Sequence, residues 1–258
     1  MAKEKTIIHV HIPYPLLLER FDYILDEGIN PEIYIDGEYL DNAEPLVLKD
    51  IERRLAGRGL SLTVHGPYAD INPGAAEEDK RLAAVERYRR VFEVSRILRP
   101  KNIVLHAGYS ERAFKGDSEL WLAQSMKTWP QFVKEAASIN AVIAVENIFE
   151  KAPYTLKMLA NRIDSPNFRL CLDSGHLNVF SNVPMEEWFR ELGPFIAEAH
   201  LHDNNGRNDD HMPLGKGSID FPSFFRYLEA YAPSPIYTIE PHGEEALKEG
   251  LEAIRRFL

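Results

Sequence analysis

The sequence predicts a single (β/α)8 TIM barrel. Three observations carry this expectation: eight short apolar runs, eight longer amphipathic stretches alternating strictly with them, and a length of 258 residues, which suits such a barrel. No linker interrupts the alternation, so residues 1–258 read as one domain. The competing arrangement is an open doubly wound sheet. Its glycine-rich phosphate turn is missing, because no G-x-G-x-x-G follows an apolar run and Gly215-Lys216-Gly217 follows a long loop.

Thr6 to His11 opens the pattern as a short apolar run and is followed by a helical stretch near 15–27. Glu32 to Ile35 precedes a helix near 43–57, Leu60 to His65 one near 77–98, and Asn102 to His106 one near 118–139. Val142 to Glu146, Arg169 to Asp173, Ile196 to His202 and Ile236 to Glu240 lead to stretches near 153–163, 184–192, 221–231 and 244–257. The runs have strand length, whereas each longer stretch repeats apolar residues at three- and four-residue spacing, which is one face of a helix. Trp121, Trp129 and Trp188 fall on such faces, where packing against the barrel is the expected job.

Composition narrows the function. With 45% hydrophobic and 27% charged residues the chain reads as soluble and globular, and 30 basic against 40 acidic residues give a net charge of -10, which disfavours a long polyanion as partner. No run approaches the roughly 18 apolar residues of a membrane span, and Thr6 to Leu18 is broken by His9, His11, Pro13 and Pro15, so neither signal peptide nor membrane partner is expected. The single cysteine, Cys171, lies in the apolar run Phe168 to Leu172; no internal disulfide can form, and a reducing, cytoplasmic compartment is expected. Arg53-Arg54 and Arg87 to Arg90 fall on helices and read as solvated outer faces.

In a parallel barrel the chemistry sits at the C-terminal ends of the strands. Here the runs end in Val64-His65, Leu105-His106, Val145-Glu146, Leu172-Asp173 followed by Gly175-His176, Ala199-His200 and Ile239-Glu240, all metal-ligand residue types. The long loop after the seventh strand adds Asp209 and His211. Polar residues do accumulate at strand exits, yet all nine histidines lie in strands or the loops that follow them. Glu146, Asp173, Asp209 and Glu240 would repel one another in one mouth unless protons or cations offset them. With His65, His106, His176, His200 and His211 they make nine donors, more than the roughly four to six one ion accepts, so two or three divalent ions are expected. Imidazole and carboxylate without thiolate suit Zn, Mn or Fe.

These strand ends resemble the xylose isomerase-like TIM barrels, the superfamily of the sugar isomerases and epimerases and of endonuclease IV. The most specific segments are Leu170-Cys171-Leu172-Asp173-Ser174-Gly175-His176 and His200-Leu201-His202-Asp203, continuing to Asp209-Asp210-His211-Met212-Pro213-Leu214-Gly215-Lys216-Gly217. By resemblance to endonuclease IV, Glu146 would bridge, with His65 and His106 on one ion, Asp173, His200 and Glu240 on a second, and His176, Asp209 and His211 on a third. By resemblance to the epimerases, one ion would sit among Glu146, Asp173, His200 and Glu240, with His176 turned toward substrate.

The departures weigh between these branches. Endonuclease IV grips DNA partly through a basic loop after its second strand, and here that loop reads Asp36-Gly37-Glu38-Tyr39-Leu40-Asp41, so duplex DNA is disfavoured. Tyr68 matches a position beside the DNA, though aromatics stack on sugars too. Arg207 lies near a substrate-contacting arginine of the epimerases, one place out of step. His202 and Asp203 read as partners that orient ligands or as part of the packed polar end, with His202 also a candidate substrate contact beside Arg207 and Tyr68; His11 and His242 read as pocket-lining. The expected function is metal-dependent isomerisation or epimerisation of a small sugar, with Glu146 and Glu240 as the proton-transfer pair and His176 facing substrate. The alternatives are metal-assisted hydrolysis of a phosphodiester at an abasic DNA site and a binding module that holds metal without turnover.

Overall fold

The computed structural model describes residues 7–232 and 234–258. Its first half builds β1 (Ile8–Pro13), α1 (Tyr14–Asp26), β2 (Asn30–Tyr34), α2 (Gly37–Asp41), α3 (Pro45–Gly57), β3 (Thr63–His65), α4 (Glu78–Leu98) and β4 (Asn102–His106). There follow α5 (Glu111–Phe114), α6 (Ser118–Ser125), α7 (Trp129–Ser138), β5 (Val142–Glu146), α8 (Tyr154–Ile163), β6 (Phe168–Asp173) and α9 (Ser174–Phe180). The last part is α10 (Met185–Leu192), β7 (Ile196–Leu201), α11 (Phe221–Tyr231), β8 (Ile236–Ile239) and α12 (Glu244–Ile254). All eight strands pair in parallel and in chain order, and β8 closes on β1 through Ile8↔Tyr237, His9↔Thr238 and Val10↔Ile239. The eight-stranded parallel barrel expected from the sequence is the fold.

Side-chain alternation divides each strand between two environments. Val10, Ile33, Val64, Ile103, Leu105, Ile143, Val145, Leu170, Leu172, Ala199, Leu201 and Ile239 belong to the large apolar core shared with the helices. The alternate residues face the barrel axis. There Val104, Ala144 and Cys171 form a small separate apolar cluster, and His9, Glu32, Thr63, Asn102, Glu198 and Thr238 are buried polar groups. The same alternation sends His65, His106, Glu146, Asp173 and His200 inward at the C-terminal ends of their strands.

Several elements differ from expectation for local reasons. The stretch near 118–139 is two helices, α6 and α7, because Pro130 near the start of α7 has no N–H to give the carbonyl four residues back. β3 is shorter than Leu60 to His65: the Leu60 N–H bonds the Leu55 carbonyl and finishes α3 instead of joining the sheet. Residues 37–41 are a short helix, not a loop, and His176 lies on α9, not in a strand or loop. The first strand begins at Ile8; Thr6 lies outside the described residues. Among the described residues no helix is long and apolar enough to cross a membrane.

The helix layer is fixed by aromatic packing. Phe92 on α4 is fully buried and stacks on Phe132 of α7 with ring centroids 5.3 Å apart. Phe92→Ala should cost about 3–5 kcal/mol, the range for deleting a buried aromatic. Urea denaturation measures this, and a loss near zero would mean that the ring is not packed as described.

Candidate metal centre

Nine donors converge at the C-terminal mouth. Glu146 lies at the centre: its Oε2 is 3.1 Å from His65 Nε2 and 3.0 Å from His106 Nε2, and its Oε1 is 3.1 Å from His176 Nδ1 and 3.7 Å from His200 Nδ1. His200 Nδ1 is also 3.1 Å from Glu240 Oε1 and 4.0 Å from Asp173 Oδ2. Asp209 Oδ2 lies 3.3 Å from His176 Nε2 and 3.1 Å from His211 Nε2. The sequence-identified donors therefore gather in one place, as three overlapping groups around Glu146, around His200 Nδ1 and around Asp209.

The chemistry of this donor set fits divalent ions. A ligating histidine presents one nitrogen to the metal and gives its other N–H to a fixed acceptor. His65 does this: Nε2 faces Glu146 while Nδ1 lies 2.8 Å from the Gly66 carbonyl oxygen. In His176, Nε2 faces Asp209 and Nδ1 lies 2.9 Å from the Asn147 carbonyl oxygen. His200 directs Nε2 to Glu32 at 3.2 Å, and its buried Nδ1, facing three carboxylates, has no hydrogen-bond partner. A buried imidazole nitrogen without a partner is costly, and an ion among those carboxylates would satisfy it.

Electrostatics agree. Burial would raise the Glu146 and Glu240 carboxyls, yet the neighbouring imidazoles, His200 foremost, hold both below the usual range. Burial opposes a charge on His176, but the carboxylates of Asp173, Asp209 and Glu146 push it up to about 12. His200 is likewise raised against its burial. Without ions, protons on histidine balance these carboxylates.

The remaining sequence candidates take different positions. Tyr68 is exposed and lines the cleft above Glu146, stacked on Tyr34 at 5.6 Å. Arg207 is exposed and outside that lining. His202 is buried behind the lining, with Nε2 3.2 Å from Asp173 Oδ2 and its ring stacked at 3.9 Å on His211. A Cβ on Gly175 would collide with the His202 ring, so glycine at 175 is what lets His202 approach Asp173. Asp203 orients the loop rather than the ligands: its carboxylate accepts from the N–H groups of Asn204, Gly215, Gly217 and Ile219. In the acidic segment, Asp41 pairs with Arg87 at 2.6 Å, so Arg87 is not simply solvated, and Asp36 accepts from the Tyr34 hydroxyl.

Reading the strand ends alone missed Glu32. It is fully buried in β2 and touches His200, His11 and Thr63. The available signal was a charged residue opening a run otherwise suited to burial, which the structure extends back to Asn30, on the same face of β2 as Asn30 and Tyr34. Glu198, in the middle of β7, was missed for the same reason; burial and then the charge of Glu32 push it up to about 8, so it is the protonated partner of the two at neutral pH.

The cleft above these donors has a volume of about 700 Å³. Carboxylates of Asp70, Glu146, Asp209 and Glu240 line it with Tyr34, Tyr68, Phe149 and Phe180, and no lysine or arginine does so among the described residues.

Two measurements test this account. A ligating imidazole must be neutral, and His176, pushed up to about 12, is protonated near pH 7 without an ion, so loading should release about one proton per chain and affinity should fall as pH falls. Zinc titration calorimetry in two buffers of different ionisation enthalpy reads the release; identical heats would contradict it. Gly175→Ala should cost about 1–3 kcal/mol through overpacking, and much less when His202 is also alanine. Equal costs in both backgrounds, by urea unfolding, would refute the close approach.

Comparison with known proteins agrees with the barrel fold. Over 210 residues the chain is 29% identical to an uncharacterized protein of Methanocaldococcus jannaschii, covering 76% of this chain and 71% of the other. A solved D-tagatose 3-epimerase-like protein superposes with a TM-score of 0.83 at 24% identity, over 97% of this chain and 96% of that one. A Thermus thermophilus protein, solved after soaking with zinc chloride, gives 0.79 at 20% identity, over 97% of each. The family model for the xylose isomerase-like TIM barrel matches residues 30–257, and the chain belongs to that family.

Proposed function

We propose that the protein is a metal-dependent isomerase or epimerase of a small, uncharged sugar or sugar derivative. The observation that carries this reading is the cleft: Glu146 and Glu240 both line a space of about 700 Å³ that offers aromatic faces and carboxylates but no lysine or arginine. Carboxylates accept hydrogen bonds from hydroxyls, aromatic rings stack on the apolar faces of sugars, and a phosphate would find no lysine or arginine there, only imidazoles already facing carboxylates. The epimerase-like structural neighbour supports the same substrate class, and the zinc-soaked one supports a divalent ion.

Glu146, Asp173, His200 and Glu240 would hold the principal ion, with His65 and His106 beside Glu146 and with His176, Asp209 and His211 further out. Bound there, a metal would polarise the substrate's carbonyl and neighbouring hydroxyl oxygens and make the C–H beside the carbonyl more acidic. Glu146 and Glu240, on either side of His200 Nδ1, would be the proton-transfer pair: one takes that proton, and a proton is delivered to the opposite face of the same carbon in epimerisation or to the neighbouring carbon in isomerisation, while His176 at the cleft wall would hold a substrate hydroxyl. Tyr68 and Tyr34 cover the substrate and limit water.

One observation favours metal-assisted hydrolysis of an abasic-site phosphodiester. The donors around Glu146 Oε2 and around Asp209 exceed what a single-ion isomerase needs. The acidic segment opposes DNA less than its composition implies, since Asp41 is paired with Arg87. The cleft carboxylates still oppose a polyanion.

Incubating metal-loaded protein with a panel of ketoses in deuterated water should place deuterium next to the carbonyl of at least one, and Glu146→Gln or Glu240→Gln should slow this by about 10²–10⁴-fold. An abasic duplex at low salt, where attraction to DNA is least screened, should remain intact. Efficient incision that Glu240→Gln abolishes, with no exchange into any sugar, would replace the isomerase reading with the hydrolase.

A further inference from the structure

We infer that Glu32 is the positioning residue of the metal centre: it fixes the tautomer of His200 and, through His11, the placement of Glu240. The inference rests on the mouth being a metal centre and holds for either reaction above.

Glu32 lies one layer below the ligands, fully buried on the inward face of β2. Its Oε2 is 3.2 Å from His200 Nε2 and 3.3 Å from the Thr63 hydroxyl oxygen; its Oε1 is 3.0 Å from His11 Nδ1. A carboxylate only accepts, so each of these neighbours must donate to it. Neutral His200, the form that can ligate, therefore carries its hydrogen on Nε2. Its Nδ1 is left as a lone pair, and this is the buried nitrogen without a partner among Glu240, Glu146 and Asp173. The opposite tautomer would aim N–H at the ion position and leave a buried lone pair against a carboxylate. Glu32 excludes that arrangement, as acceptors behind ligating histidines do in general.

The second oxygen extends the control. His11 Nδ1, held by Glu32 Oε1, is also 3.5 Å from Glu240 Oε1, the oxygen that faces His200 Nδ1 at 3.1 Å. One buried carboxylate is thus tied to two of the four donors of the principal ion, His200 directly and Glu240 through His11. His11 itself lines the cleft, so its ring orientation at the substrate is set by the same contact. Glu198 gives a control at similar depth: it bonds Asn102 and Thr238 and makes no hydrogen bond to a ligand.

Glutamine separates the roles. It is nearly isosteric with glutamate but offers one oxygen and one NH2, so it can accept from His200 or from His11 and not from both. In Glu32→Gln, zinc affinity of the Glu146, Asp173, His200, Glu240 site, measured against a chromophoric chelator, should fall about 10–100-fold, while Glu198→Gln should stay within about 3-fold of wild type. Long-range 1H–15N NMR of the metal-free wild-type protein, followed upward in pH until His200 is neutral, should show its remaining hydrogen on Nε2, and Glu32→Gln should add the Nδ1-protonated form. An equal fall in both variants would reduce Glu32 to barrel packing and overturn the inference. So would His200 protonated only on Nδ1 in the wild type, a measurement that needs no variant to fold. Wild-type protein that binds no zinc would overturn the metal centre itself, whereas binding with unchanged affinity in Glu32→Gln would overturn only the role of Glu32.

Discussion

Mutual repulsion among carboxylates that cannot reach water is the constraint on which this mouth is built. Glu32, Glu146, Asp173 and Glu240 are all buried, and water screens such groups poorly. Their charges must be met locally. The chain does so with imidazoles from five strands or their exits, and with a proton on Glu198 that removes one charge from the layer below. Closure of the barrel makes the arrangement possible. Eight strands with ladder bonds on both sides hold the repelling groups at fixed separations that an open sheet or a loop cluster would relax.

The barrel was legible because its determinants are local: run lengths, helical spacing and the absence of a phosphate turn. The mouth was legible because a strand exit announces itself as the last polar residue of an apolar run, and this located His65, His106, Glu146, Asp173, His200 and Glu240. What lay one pleat deeper did not announce itself. Glu198 stands inside its run and Glu32 opens its own instead of ending it, and their meaning depends on residues more than 30 positions away, which no window along the chain contains. The short helix Gly37–Asp41 differs from its sequence reading for a related reason. Its charges were counted as free, whereas Arg87, on a different helix, neutralises one of them.

Position in the barrel also separates side chains that look equivalent in sequence. His200 and His202 are two residues apart and both point inward, but His200 presents a nitrogen to the carboxylate group while His202 packs face to face on His211 in the space Gly175 leaves. Tyr34 and Tyr68 come from successive strand exits and form one stacked surface at the rim. The histidine-rich composition thus resolves into ring stacking, hydrogen bonding and nitrogens turned toward carboxylates, each set by which side of a strand faces which neighbour.

The loop between β7 and α11 is wired to itself. Asp203 gathers four of its backbone N–H groups and pairs with Met212 as a short antiparallel bridge, while Asp209 and His211 ride on the segment in between. The outermost donors are therefore carried by a loop braced by its own backbone and by Gly175 and Asn178 of α9 rather than by the strands. Exchange of that loop would add or remove the Asp209 and His211 donors without altering a single strand register, so the number of donors at the mouth varies independently of the barrel that carries them.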